Sequence, residues 1–504
     1  MNRTLIASLL AGAALYAQAL DWPTAGADPQ RTGWEKSDPL ITKEDVAKKF
    51  QMLWKIRAKG SAGLMAPVIV GRLIGYRGFK ELAFIGGLDD SLYVQDVDMN
   101  RLYWQTKFVP PLESVAPTLA CPGGMTAMPT LLPQSLRRGP RPGPGGPPGA
   151  PAATTQGAQP VRQRPTISFG GPRSLYVISS DGMFRRLNVA NGNEAGMTFQ
   201  VFPANSRVST LNVHDGVIYA TTSHGCGGTP NSVWAIDFSN PDPSAAPVVH
   251  TLATGGSNPV GIGGPVIGTD GTIYVQTGDG PSDPANGKFA STLLALSAET
   301  LVPKGYFLDS GTGPAPKGDL NAVTPVVFDY KSHDVIVNSS RDGHLNLLDA
   351  SSFTGDHKTV LAQSAKVDGG FWGGLSSWAE PNGARYVLAS VWSNASGSSG
   401  SVIAYKIEDK DGKPAFTQVW TVKDLVRPVP PVVASGVVFI LSSGEGRKHA
   451  VLHAVDATTG AAIWSTKNEV NSVGNLTPLT VANGRVYFVT ADSTVWVFGL
   501  PIEL

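Results

Sequence analysis

Cysteine is nearly absent from this chain, with two in 504 residues. Two thiols cannot build a disulfide-stapled miniprotein, a four-thiolate zinc site or an iron–sulfur cluster. Charge is sparse as well. Charged residues make up 16%, against ~25% in an ordinary soluble domain, and 40 basic residues nearly balance 39 acidic ones. A formal charge of +1 gives no bulk electrostatic reason to hold nucleic acid, and none is expected as a partner. Helical periodicity is almost missing, apart from Thr42 to Lys49. No Gly-x-Ser-x-Gly elbow, phosphate-binding loop, dinucleotide fingerprint or Cys-x-x-Cys-His haem site occurs.

One apolar run stands out, and it opens the chain. Arg3 precedes Leu5 to Tyr16, and Ala17-Gln18-Ala19 is a small-x-small cleavage pattern. This reads as a secretory signal over residues 1–19. The run is short of the ~20 residues a membrane span needs. The mature chain is therefore expected to lack a transmembrane segment, to be periplasmic or secreted in a bacterium, and to be a monomer. Export permits a disulfide. Cys121 and Cys226 would close a loop of about a hundred residues, worth ~4–5 kcal/mol in the chain-entropy model. Two buried free thiols are the other arrangement, because sequence does not show that the sulfurs meet.

What the chain has in abundance is repeats. Ala454-Val455-Asp456-Ala457-Thr458-Thr459-Gly460-Ala461-Ala462-Ile463-Trp464 is an alternating strand, an Asp-x-x-Thr-Gly turn and a second strand ending on Trp. Glycine suits the positive φ such a turn requires. Weaker copies include Val94 to Trp104, Arg186 to Gly192, Val233 to Asp237, Leu294 to Thr300 and Leu347 to Ala350. A Pro-Val or Pro-Leu strand followed by an aliphatic-aromatic strand precedes most copies, as at Thr324-Pro325-Val326-Val327 and Thr477-Pro478-Leu479. Four short strands per unit, repeated eight times, predict an all-β, eight-bladed β-propeller of four-stranded antiparallel blades. The blades are expected to start near Ser61, Val115, Val208, Val260, Ala322, Phe371, Pro430 and Val473.

The last unit ends too soon after Trp496 to supply an outer strand. Met52 to Arg57 has the pattern to supply it and to close the ring, which removes a free sheet edge. Residues 20–50 are then an N-terminal arm and residues 51–504 the propeller. Residues 133–165, crowded with Pro, Gly and Arg and free of acidic side chains, read as a disordered insertion in the second blade.

These units resemble the repeats of the pyrroloquinoline quinone (PQQ) propeller superfamily, with Ala454 to Trp464 as its tryptophan-docking motif. Asp21 to Gly33 is similar to the lead-in of such proteins. The superfamily holds both quinoprotein alcohol dehydrogenases and non-catalytic scaffolds. A dehydrogenase needs a quinone on an aromatic floor and Ca²⁺ held by oxygen ligands. By resemblance, Asp279 in Thr277-Gly278-Asp279-Gly280 would be a Ca²⁺ ligand. Asp319, in Gly318-Asp319-Leu320-Asn321, would be the catalytic base and a further Ca²⁺ ligand, and Arg341 would contact the quinone. Trp372, clustered with Phe371, Trp378 and Trp392, offers either inter-blade packing or a stacking platform for PQQ or a sugar.

The departures point the other way. His224 to Pro230 contains no carboxylate where the superfamily places its metal-binding Glu, and Ser257 to Gly263 lacks the floor Trp. The two cysteines are too far apart in sequence for an adjacent-cysteine disulfide. His224 and Cys226 would hold a metal only with a third ligand, and His449 and His453, placed beside a strand, are too far apart for one ion. The expectation is a non-catalytic binding or scaffold protein of the cell envelope, with an envelope protein or glycan as partner. The alternative is a PQQ- and Ca²⁺-dependent dehydrogenase of alcohols or sugars with an altered metal site.

Overall fold

Strands Val437–Ser442 and Arg485–Thr490 are buried along their whole length, as expected of sheets covered by neighbours on both faces. The computed structural model describes residues 21–501, except 37, 76–77, 109–116, 119, 132–172, 239–244, 309–319 and 322. The expected signal at 1–19, the insertion at 133–165, Asp319, and the blade starts Val115 and Ala322 lie outside the described residues.

Eight antiparallel sheets of four main strands follow one another along the chain. Their innermost strands are Val68–Gly75, Thr130–Leu131, Asn212–His214, Val266–Ile267, Val326–Tyr330, Gly370–Ala379, Val432–Ala434 and Thr480–Ala482. We number the blades one to eight in that order. Gln51–Arg57 pairs antiparallel with Thr494–Gly499 and gives the eighth blade its outer strand, so both ends of the propeller share one sheet. A single short α-helix, Lys43–Lys49, lies within the described residues. The Thr42 hydroxyl caps it by accepting from Asp45 N at 3.0 Å.

The core is a ring of apolar clusters between neighbouring blades, one of which spans blades seven, eight and one. Val68, Phe84 and Val94 of blade one meet Leu175 and Leu187 of blade two; Val326 and Val337 of blade five meet Phe371 and Val387 of blade six. Tryptophan docking fixes the spacing between blades. The Trp420 indole N–H of blade six donates to Ala457 O at 3.0 Å, inside the Asp456–Gly460 turn of blade seven. Gly460 has φ +71°, and a Cβ there would fall 2.8 Å from the Trp420 ring, so the turn needs glycine for both conformation and space. Trp104 docks in the same way on blade two, its N–H donating to Val189 O at 3.1 Å beside Gly192.

The arm between Asp21 and Asp38 makes a second closure. It bonds to all eight blades in chain order. Trp22 and Ile69 of blade one exchange backbone bonds at 2.9 and 3.0 Å, and Leu131 N of blade two donates to Pro23 O at 2.9 Å. The Thr24 hydroxyl donates to Leu211 O beside blade three at 2.7 Å. Pro29 O then accepts from Ile267 N of blade four, and Gln30 O from Val327 N of blade five. Ser377 N of blade six donates to Thr32 O, and Val433 N of blade seven to Gly33 O. Finally Gly484 N of blade eight donates to the Asp38 carboxylate at 2.7 Å.

Blades eight and one meet through a buried ionic group. Arg485 pairs with Glu81, donates to Asp98 at 3.0 Å, and the Tyr487 hydroxyl donates to Glu81 at 3.0 Å. Burial outweighs the attraction of Arg485 and pushes the Glu81 carboxyl up to about 7 from its usual 4.5. A carboxyl raised on folding stabilises fully below its unfolded pKa, and that contribution is lost as pH rises through the folded value. Wild type should therefore lose stability relative to Glu81→Gln as pH rises from 4.5 to 7. Paired urea titrations across that range check this; a constant difference between the two proteins contradicts it.

Candidate functional site

In each blade, the segment entering the innermost strand and the loop joining the second and third strands lie at the same end. Blades four to six carry the described residues expected in the site, Asp279, Arg341 and Trp372. The loop between Ile273–Gln276 and Thr292–Leu296 is held by the Thr277 hydroxyl, which donates to Thr292 O at 3.0 Å while accepting from Thr292 N at 3.0 Å. This anchor presents Asp279 at the surface, with 56% of its side chain exposed. Arg341, from the corresponding loop of blade five, places Nη2 3.6 Å from the Asp279 carboxylate. Two of the residues expected in one site thus do come together.

Asparagines organise the ground between them. The Asn258 side-chain oxygen accepts from His224 N at 2.8 Å, and its backbone oxygen accepts from Gly278 N at 2.8 Å, linking blade three to the Asp279 loop. The Asn321 side chain donates to Arg341 O at 3.1 Å and accepts from Phe371 N at 2.8 Å, linking blade five to blade six. Asn258 carried no sequence signal, because a lone asparagine in a loop is an ordinary turn residue.

The aromatic cluster divides. Trp372 lies flat on Trp392, with centroids 4.3 Å apart and planes 9° apart, and only 9% and 3% of the two residues are exposed. The Trp392 N–H donates to Pro428 O at 3.0 Å. Trp378 stacks instead on Tyr386, and Phe371 is buried between blades five and six. Next to this cluster, Ile262 N and Thr324 N both donate to Gly373 O, at 3.0 and 3.1 Å, tying the segments that enter blades four and five to blade six.

Cys121 and Cys226 are bridged, with Cα atoms 5.5 Å apart. The bridge is one of the two arrangements the sequence leaves open, so the cysteines are not free thiols and Cys226 is not available with His224 to ligate a metal. His453 lies within strand Val451–Asp456, and burial holds its pKa below the ordinary value. No three His, Cys, Asp or Glu side chains come together among the described residues. No helix among them is long and apolar enough to cross a membrane.

The comparisons agree with this geometry at the level of fold. A quinohemoprotein alcohol dehydrogenase from Comamonas testosteroni matches with TM-score 0.59 at 13% identity, over 96% of this chain and 81% of that one. A europium-containing methanol dehydrogenase matches with TM-score 0.60 at 12% identity, over 95% and 89%. BamB from Moraxella catarrhalis matches with TM-score 0.50 at 15% identity, over 90% and 99%. The family model described as outer membrane protein assembly factor BamB matches residues 398–499, which hold the two outer strands of blade six, the four main strands of blade seven and the three inner strands of blade eight. The chain has the fold of the PQQ-repeat β-propeller superfamily. No curated protein sequence matches it significantly.

Dehydrogenases and an assembly factor therefore share this PQQ-repeat fold. The Trp372 plane is covered by Trp392, and the Asp279 carboxylate stands at the surface beside Arg341.

Proposed function

We propose that this chain is an exported, non-catalytic PQQ-repeat propeller of the cell envelope that binds a protein or glycan through its loop faces. One observation carries the reading. The aromatic plane that a quinone would need is spent on the Trp372–Trp392 stack inside blade six, where neither ring keeps an open face. The BamB family match over the last blades supports the same reading.

The competing reading is a PQQ- and Ca²⁺-dependent dehydrogenase of alcohols or sugars. The approach of Arg341 to Asp279 favours it, with Asp319 as the base on the strength of resemblance alone. The two separate in a dye-linked assay of the purified protein incubated with PQQ and Ca²⁺ against a panel of alcohols and sugars. Dye reduction at the no-protein background is the expected result. Substrate-dependent reduction lost in Asp279→Ala would establish the dehydrogenase.

A further inference from the structure

The first two strands of blade one, Val68–Gly75 and Gly78–Gly86, outrun the rest of their sheet. The second pairs with the third strand only from Leu82 onward, so Gly78 to Lys80 pair with the first strand alone. Ile74 and Phe79 stand opposite each other in this extension. At 73% and 62%, they are the two most exposed large apolar side chains among the described residues. Opposed residues of an antiparallel pair project to one face, so the two make a single apolar patch. A Cβ at Gly78 would meet nothing within 4 Å, which leaves the tip clear of the ring.

The other blades supply an internal comparison. The same turn is Asp215-Gly216 in blade three, Lys331-Ser332 in blade five and Ser435-Gly436 in blade seven, all polar. Closing the turn therefore does not require Ile or Phe. The turn joining the third and fourth strands of blade one lies beside the base of the hairpin, where Val97 N donates to Glu81 O at 2.9 Å. It leaves Met99, and Leu102 just beyond it, exposed as well.

The charge around the patch has one sign. The Arg72 guanidinium lies over the Phe79 ring, with Cζ 4.0 Å from its centroid, and makes no ion pair among the described residues. The acidic side chains below are already matched: Lys80 donates to Asp96 at 2.6 Å, and Glu81 and Asp98 pair with Arg485. From Gly71 to Lys80 the sequence holds Arg72, Arg77 and Lys80 among Leu73, Ile74, Tyr76 and Phe79, with no Asp, Glu, Asn, Gln, Ser or Thr. The first and second strands of blade two meet at the same end of the ring. The sequence between them adds Arg137, Arg138, Arg141, Arg162 and Arg164 and no acidic residue.

We propose that the blade one hairpin docks this protein on an anionic lipid bilayer, seating Ile74 and Phe79 among the acyl chains and Arg72 at the headgroup phosphates. Apolar and basic side chains without neutral polar ones suit that interface, where arginine stems lie along the chains and their heads reach phosphate. The hairpin is at the end of the ring opposite the loops of Asp279 and Arg341. Docking is thus independent of what those loops bind.

Flotation of the full mature chain with vesicles of phosphatidylcholine and phosphatidylglycerol, against phosphatidylcholine alone, tests the contact. Binding to the mixed vesicles only is expected. Ile74→Ser/Phe79→Ser should weaken it by roughly tenfold or more, and Arg72→Gln about fivefold, with Tm unchanged because these side chains are exposed. Both native cysteines are bridged, so a polarity-sensitive fluorophore on Ile74→Cys gives a second readout. Its emission should shift to the blue with the mixed vesicles, and that of labelled Val419→Cys, on the outer strand of blade six, should not. Equal flotation with both vesicles, flotation undiminished in Ile74→Ser/Phe79→Ser, or equal shifts at the two labels contradicts the assignment. No flotation with the mixed vesicles overturns it and leaves the patch to a protein partner.

Discussion

Breaking the Cys121–Cys226 bridge should lower stability by about 4.7 kcal/mol, the chain-entropy value for a loop of roughly a hundred residues. The separation here is 105 residues, and the bridge ties the segment entering blade two to the loop at Cys226–Gly228 in blade three. Blade two begins with a strand of only two residues, Thr130–Leu131. The segment leading into that strand is also tied to blade three by Thr126, whose hydroxyl donates to Val208 O at 2.9 Å and accepts from Val208 N at 2.9 Å, and the cross-link adds a covalent tie to the same neighbour. At roughly 2.1 cal/mol/K per residue, the loss corresponds to a fall in Tm of about 5 °C. Calorimetry of the Cys121→Ala/Cys226→Ala variant, and of wild type under reductant, measures it. A fall below 1 °C in both would show that the unfolded chain does not gain the freedom the cross-link denies it.

Trp22→Ala should have an effect of similar size, about 3–5 kcal/mol, the range for emptying a buried tryptophan site. Trp22 is fully buried in the cluster that joins the arm to blades one and eight, and its backbone exchanges two bonds with Ile69. Among the described residues between Asp21 and Asp38 the arm's one strand is Trp34–Glu35, so this anchor and the backbone bonds that follow it hold the segment in place. Undocking the arm also exposes the buried Arg31. Limited proteolysis is therefore expected to cut between Asp21 and Asp38 in the variant and not in wild type. Equal resistance in both proteins would mean that the arm holds without its anchor.

The ring was legible in the sequence because its signals are periodic. The alternating strands, the Asp456 to Gly460 turn and the pattern of Met52 to Arg57 each report a local requirement that the structure meets. The arm's circuit was not legible. Pro23, Pro29, Gln30 and Gly33 bond through their backbone carbonyls, which every residue carries, so no residue type marks the positions. The disulfide depended on a three-dimensional approach of two loops, which composition permits and does not fix. At the candidate site, only resemblance grouped Asp279 with Arg341 in the sequence, and in the structure each sits in the same loop of adjacent blades. The stacking of Trp372 on Trp392 was not legible, because an aromatic cluster reads the same whether it packs inward or faces a ligand.

Thermal unfolding of the mature protein with PQQ, with and without Ca²⁺, tests the account most directly. A ligand present at a hundred times its dissociation constant adds about 2.7 kcal/mol to native stability, or roughly 3 °C for a chain of this length. With the Trp372 plane already covered, Tm should be unchanged by PQQ, alone or with Ca²⁺. A Ca²⁺-dependent rise of about that size, abolished by Asp279→Ala, would contradict the non-catalytic reading and make the loop face of blades three to six a cofactor site.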